Sequence, residues 1–203
     1  MLKSAQAGVS LIELMIGLTI VAFLLFLGVP EFSNFLQNTQ IRNAAETTLA
    51  GLALARAEAV RRNAPVRFQL VSDLTSGCTI STGALNDSTA LSWVVSLQNP
   101  AGACDIAPGD TAPQIVQKKS AREGSVNVRV TTNTAPTLTF NGLGRVSGAG
   151  VQRLDFENAS GICVHVDDVN GTMRCLAIMV TTGGAVKMCD PKVGDTTDPR
   201  HCS

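Results

Sequence analysis

Residues 9–29 form an apolar run broken by one acid, Glu13. No other stretch restricts the possible folds as strongly. About 20 apolar residues suffice to cross a bilayer as a helix, so the run predicts a membrane span. It holds no Lys, Arg or Asp. A carboxyl group inside lipid costs roughly 2.5–3.5 kcal/mol on insertion scales, which marks Glu13 as a functional residue with a partner. Ahead of the run, residues 1–8 carry a single cation, Lys3. A secretory signal would be longer and would place its small-residue cleavage site after the apolar core. Here Ala5, Ala7 and Gly8 come before it. Cleavage between Gly8 and Val9 would therefore leave the apolar helix on the mature chain and make Glu13 its fifth residue.

Gly8 at the end of the leader, Val9-Ser10-Leu11-Ile12-Glu13-Leu14 after it, Gly17 and Pro30 together resemble the type IV pilins and pseudopilins. Most members of that family begin with Phe after the cut, where this chain has Val9. The resemblance implies that a prepilin peptidase cuts after Gly8 and methylates the amine of Val9. It implies that Glu13 neutralises the terminal amine of a neighbouring subunit in a filament. Pro30 is implied as a helix break that lets the segment stretch or dock. The implied fold is α+β: a long N-terminal helix, transmembrane in its first half, packed on a C-terminal antiparallel β-sheet domain. The implied location is the bacterial inner membrane, single-pass, with the C-terminal domain periplasmic.

The chain then divides into a leader (1–8), a transmembrane and filament-core helix (9–30), an amphipathic second half of that helix (31–63) and a β-rich domain (64–203). The last part is long enough for one real core. Formal charge is zero over 203 residues, with no Tyr and one Trp. That excludes the overall basic footprint of a dedicated nucleic-acid binder, while a local patch stays open. Cysteines stand at 78, 104, 163, 175, 189 and 202, all beyond the apolar run. An even count on a translocated domain reads as disulfides formed in an oxidising compartment. Six cysteines allow 15 pairings. The local set Cys78–Cys104, Cys163–Cys175 and Cys189–Cys202 is favoured. Cys163 and Cys175 flank the turn-rich Asp167-Asp168-Val169-Asn170-Gly171. A hairpin loop of three or five residues there would set them opposite, whereas a two-residue Asn-Gly turn would not.

From Glu31 to Arg62 apolar residues recur at helical spacing: Phe32, Phe35, Leu36, Leu49, Leu52, Ala53 and Val60. Ala is abundant, which favours helix. Glu58 and Arg62 stand four apart in the favourable order, and Asn63 with Pro65 makes a stop. One helix over residues 9–62 would run about 80 Å. Gly28 and Pro30 predict a kink or an unwound turn. After Pro65 the period becomes two. Strands are expected at 66–70, 91–97, 126–131, 138–140, 151–156, 162–166, 175–181 and 185–188. Thr182-Gly183-Gly184-Ala185 reads as a tight two-residue hairpin. Residues 82–90 and 99–113 read as exposed loops. An antiparallel sheet on the second half of the helix satisfies both patterns.

A narrower resemblance rests on three stretches: Arg56-Ala57-Glu58-Ala59-Val60-Arg61-Arg62-Asn63-Ala64-Pro65-Val66, Phe140-Asn141-Gly142-Leu143-Gly144-Arg145-Val146 and Gly183-Gly184-Ala185-Val186-Lys187-Met188-Cys189-Asp190-Pro191. These resemble the GspH/FimT group of minor pilins. The group implies a place at or near the filament tip and a part in starting assembly. Its implied partners are other minor pilins, the major pilin, the prepilin peptidase and the inner-membrane assembly platform. Two alternatives come with it: a GspH-like pseudopilin of type II secretion, and a FimT-like minor pilin binding DNA for uptake. Some FimT members bind DNA through Gly-Arg-x-Arg. Here the corresponding residues are Gly184-Ala185-Val186-Lys187, which keep one cation and lose bidentate phosphate recognition. Arg145, Lys187, Lys192 and Arg200 are the candidate phosphate contacts, against the plainer reading of solvated surface cations.

No enzyme is implied. There is no G-x-S-x-G, P-loop or pair of catalytic carboxylates. No cofactor and no metal site is expected. The two His residues, His165 and His201, lack a second ligand at metal spacing. Asp167, Asp168 and Asn170 miss the register of a calcium loop. Trp93 reads as core.

Overall fold

The computed structural model describes residues 10–81, 92–132, 137–147, 151–158, 163–164, 171 and 173–202, with the side chains of residues 27–31 also outside the description. The chain divides into two compact units, Met1–Leu36 and Gln37–Ser203.

One helix, α1, runs over Leu11–Arg62, 52 residues. Ser10 caps it: the Glu13 N–H donates to Ser10 Oγ at 3.2 Å, which satisfies one of the orphan donors of the first turn. The helix continues through Gly28 and Pro30. The unwound turn expected there does not interrupt it, although Pro30 can donate no backbone bond of its own. At the other end the Asn63 N–H donates to the Val60 carbonyl and the Ala64 N–H to the Ala59 carbonyl, both at 3.2 Å. Asn63 stands at φ 49°. This pair of bonds around a left-handed residue is the Schellman stop, with Asn where Gly is commonest.

In the second unit, α1 buries Ile41, Ala44, Ala45, Thr48, Leu52, Ala55 and Ala59. Steps of three and four residues keep them on one face. That face packs with two antiparallel sheets. The strands are β1 (Val66–Val71), β2 (Ser92–Ser96), β3 (Ile115–Lys119), β4 (Val128–Thr132), β5 (Thr137–Phe140), β6 (Val146–Ser147), β7 (Gln152–Asn158), β8 (Leu176–Val180) and β9 (Val186–Cys189). One sheet has the order β3-β2-β1-β5-β6 and the other β4-β7-β8-β9. The single sheet expected from the strand pattern is therefore two. Strand β7 alternates buried and half-buried residues without a break, so one face meets the core and the other the solvent. Phe68, Phe140 and Phe156 are fully buried between helix and strands. Burying each stabilises the fold by about 1.5–3 kcal/mol relative to exposure.

A smaller apolar cluster of Val71, Cys78, Val94, Cys104 and Ile115 lies apart from the main core. It encloses the Cys78–Cys104 disulfide. Disulfides also join Cys163 to Cys175 and Cys189 to Cys202. Each joins cysteines adjacent in sequence order, and no cysteine is free. Asp167, Asp168 and Asn170, and the hairpin proposed on them, lie outside the described residues, as does His165.

The sequence pattern missed two strands. In β3, Ile115 is buried while Gln117, Lys118 and Lys119 are polar, so no clean alternation marks it. Strand β6 is two residues long. The turn between β8 and β9 also differs. The Thr181 N–H donates to the Ala185 carbonyl and the Gly184 N–H to the Thr181 carbonyl. Gly184 has φ +78°. The loop is thus three residues, closed by a left-handed Gly as in a bulged hairpin, rather than two.

Candidate functional site

The first unit presents an apolar surface with no cover of its own. From Leu11 to Phe26 every large apolar side chain that it describes is at least half exposed, Leu11 at 81% and Phe26 at 79%. Glu13 sits on the first turn of this surface and is exposed. Thr19 turns its hydroxyl back to the Ile16 carbonyl at 2.8 Å and so adds little polarity. Among the described residues no helix is long and apolar enough to cross a membrane. Gly8 and Val9, the expected cut and methylation site, lie outside the described residues, and so does the side chain of Pro30.

In the second unit the three stretches behind the narrower resemblance meet at one corner. A Cβ on Gly144 would lie 3.1 Å from Val60 Cγ2 and 3.2 Å from Arg56 Nε. A Cβ on Gly142 would meet the Asn63 backbone. Gly184 faces the Gly144 carbonyl and Arg56 Nε in turn. The Val146 N–H donates to the Thr182 carbonyl at 3.2 Å and ties the two turns together. Missing side chains thus let the β5–β6 turn and the β8–β9 turn close on the last turns of α1. Arg56 stands at the centre. Sequence reasoning did not single it out, although it opens the first of the three stretches.

Two clefts flank this corner. Asn141, Arg145, Val146, Thr182 and Gly183 line one of about 450 Å³. Ala53, Arg56, Ala57, Val60, Arg61 and Val186 line another of about 610 Å³. On the helix, Glu58 accepts from Arg61 at 2.6 and 3.0 Å and from Arg62 at 2.7 Å. Hydrogen bonds from Arg61, then from Arg62, hold the Glu58 carboxyl down at about 2.

The four candidate cations do not form one patch. Arg145 is exposed beside the β8–β9 turn, and its side chain has no partner among the described residues. Lys187 donates to the His201 carbonyl at 3.1 Å. Arg200 pairs with Asp198 at 2.7 Å, and that hydrogen bond lowers the Asp198 carboxyl to about 2. Lys192 has an exposed side chain and gives its backbone N–H to Asp190. Lys187, Lys192 and Arg200 therefore belong to a clasp around the buried Asp190. Asp190 also accepts from Arg174 at 2.6 and 2.8 Å. Its N–H donates to the Arg200 carbonyl at 2.8 Å, and the Cys189–Cys202 disulfide closes the tail beside it. Among the described residues no three His, Cys, Asp or Glu converge as metal ligands.

The family described as the prokaryotic N-terminal methylation motif matches residues 3–29. No curated protein matches the chain. Among solved structures it is similar to the type IV minor pilin FimU of Pseudomonas aeruginosa in two crystal forms. In one the identity is 17%, the TM-score 0.49, and the match covers 76% of this chain and 91% of that one. In the other the values are 16%, 0.45, 72% and 90%. The family described as type II transport protein GspH matches residues 44–192. That span takes in the helix exit, both turns of the corner and Asp190, and the chain belongs to the GspH family.

Proposed function

We propose that this chain is a minor pilin of a type IV pilus, part of the tip complex that primes filament assembly. The observation that carries the reading is the uncovered apolar surface of residues 11–26 with Glu13 on its first turn. A soluble monomer rarely exposes so much contiguous apolar surface, so lipid or other helices must cover it. In this reading residues 9–29 first span the inner membrane once, with the β-rich domain in the periplasm. Prepilin peptidase removes residues 1–8 and methylates Val9. The assembly platform then moves the helix from lipid into the filament core, where Glu13 pairs with a neighbour's terminal amine. Pro30 yields as the helix stretches there. The β-rich domain meets the other minor pilins and the first major pilin, and travels to the cell surface.

The test is Glu13→Leu in the native host. Sheared surface filaments should fall to background while the full-length chain still accumulates in the membrane. Normal piliation, or a mature chain that retains residues 1–8, would refute the reading.

A second reading has one observation in its favour: the matching family is described by type II transport. A GspH-like pseudopilin would leave piliation intact and block protein secretion when deleted. DNA binding has less support, because Lys187 and Arg200 already have partners, and of the four candidate cations Arg145 and Lys192 are the ones whose side chains bond nothing among the described residues. Binding of duplex DNA that weakens with salt and disappears in Arg145→Ala would favour it.

A further inference from the structure

The free edges of the two sheets differ in what lies beside them. Beside β3 and β4, the pocket lined by Ala44, Thr48, Trp93, Lys119, Val128 and Val130 holds only about 10 Å³, room for a water and no more. Strand β9 borders the groove of about 610 Å³ floored by Ala53, Ala57 and Val60. Those three side chains are exposed. The Thr181–Ala185 hydrogen bond sets the ladder phase. By the alternation of an antiparallel pair, Lys187 turns its backbone groups to β8, and Val186 and Met188 turn theirs outward. Beyond that ladder the backbone of these residues bonds nothing else among the described residues.

Charge at the groove is one-sided. Arg61 is held by Glu58. The Arg56 side chain is pinned against Gly144 and Gly184 and has no carboxylate partner among the described residues. A groove with an apolar floor, an open strand edge on one wall and an unpaired guanidinium fits an extended chain that carries a carboxylate. We propose that it receives a short β-strand from a neighbouring subunit of different sequence in the same filament. The strand pairs with the outer edge of β9, lays alternate apolar side chains on Ala53, Ala57 and Val60, and sets an acid against Arg56. This rests on the filament reading above.

The test places a photo-reactive benzoylphenylalanine at Ala57 of the full chain in its native host, and in a separate strain at Leu14. The expected Ala57 adduct is with another chain bearing an N-terminal methylation motif, mapped to an extended segment with an Asp or Glu within two residues. Val186→Pro removes one outward donor while leaving the β8 ladder intact. It should cut the adduct about fivefold, the worth of roughly one hydrogen bond, with the Leu14 adduct unchanged. Should that variant fail to accumulate, Ala53→Asp provides the same test by repelling the incoming acid. An Ala57 adduct only with a second copy of this chain, or one indifferent to both variants, would overturn the proposal. So would a Leu14 adduct without an Ala57 adduct, which would leave the filament reading standing. Loss of both would remove the two together.

Discussion

A Cβ on Gly184 would fall on the carbonyl oxygen of Gly144. The two turns therefore meet backbone to backbone, and Gly184 also holds φ +78°. Gly184→Ala should destabilise the fold by the left-handed penalty of about 1–2 kcal/mol plus the displacement of the β5–β6 turn. Gly183→Ala is the control, since its nearest neighbour, Thr181 Oγ1, would be 3.8 Å away. It should stay within about 0.5 kcal/mol of the parent. Thermal unfolding of the full chain in detergent, followed through Trp93, measures both. Equal losses in the two variants would show that close approach is not what the glycine provides.

The sequence displayed what depends on local spacing. The helix over residues 31–62, the Asn63 stop and the strands with clean alternation, such as β7, are readable from period and turn chemistry. The buried face of α1 was not: of the apolar residues read at helical spacing Leu52 is buried and Leu49 half-buried, while Phe32, Phe35, Leu36, Ala53 and Val60 are exposed, and small residues, Ala44, Ala45, Ala55 and Ala59, with Ile41 build the face instead. Strand β3 was not, because its place is set by pairing with β2 rather than by its own pattern. The register slips between Val95 and Ser96, where Ser96 meets Ile115. The corner at Arg56 was half legible. Its three stretches could be quoted, but that they touch depends on which glycines face which turn. The grouping of Lys187 and Arg200 with the tail, away from Arg145, depends on the Asp190 clasp, a long-range contact that no spacing reveals.

Gly51 tests the helix–sheet interface. A Cβ there would come within about 3.0 Å of both Phe68 Cε2 and Trp93 Cη2, and these two rings lie tilted against each other with centroids 5.6 Å apart. In an exposed helix Gly→Ala gains about 1 kcal/mol. Here the rings must shift against a packed core, and overpacking costs about 1–3 kcal/mol. Gly51→Ala should therefore lower stability, with altered near-ultraviolet dichroism from Trp93. A gain in melting temperature would show that the rings yield freely.

Lys118 acts as an internal cation for the loop that follows Cys104. Its Nζ donates to the carbonyls of Cys104, Asp105 and Ile106 at 2.8, 2.8 and 3.0 Å. Lys118→Met keeps most of the stem and removes all three donors. Cys104 is fully buried, so its carbonyl has little water to turn to. The expected loss is about 1–3 kcal/mol, with faster amide exchange confined to residues near 104–106. Unchanged exchange there would mean that the Cys78–Cys104 disulfide alone orders the loop.

Glu58 gives the acid side of the stability curve a definite sign. Its carboxyl is lowered from 4.5 to about 2 by Arg61 and Arg62. A group depressed on folding binds fewer protons in the folded state, so its contribution is complete above the unfolded value. It is lost as pH falls through the folded one. The window therefore runs from about 4.5 down to about 2. The Arg61 side chain is 64% exposed, so solvent screens the pair and the contribution is small. Glu58→Gln should lie below the parent in melting temperature at neutral pH and converge with it as acid is added through that window. Asp198, lowered to about 2 by Arg200, titrates alike in both proteins and cancels in the difference. A gap that stays constant from neutral pH to pH 2 would mean that Glu58 contributes through packing rather than charge.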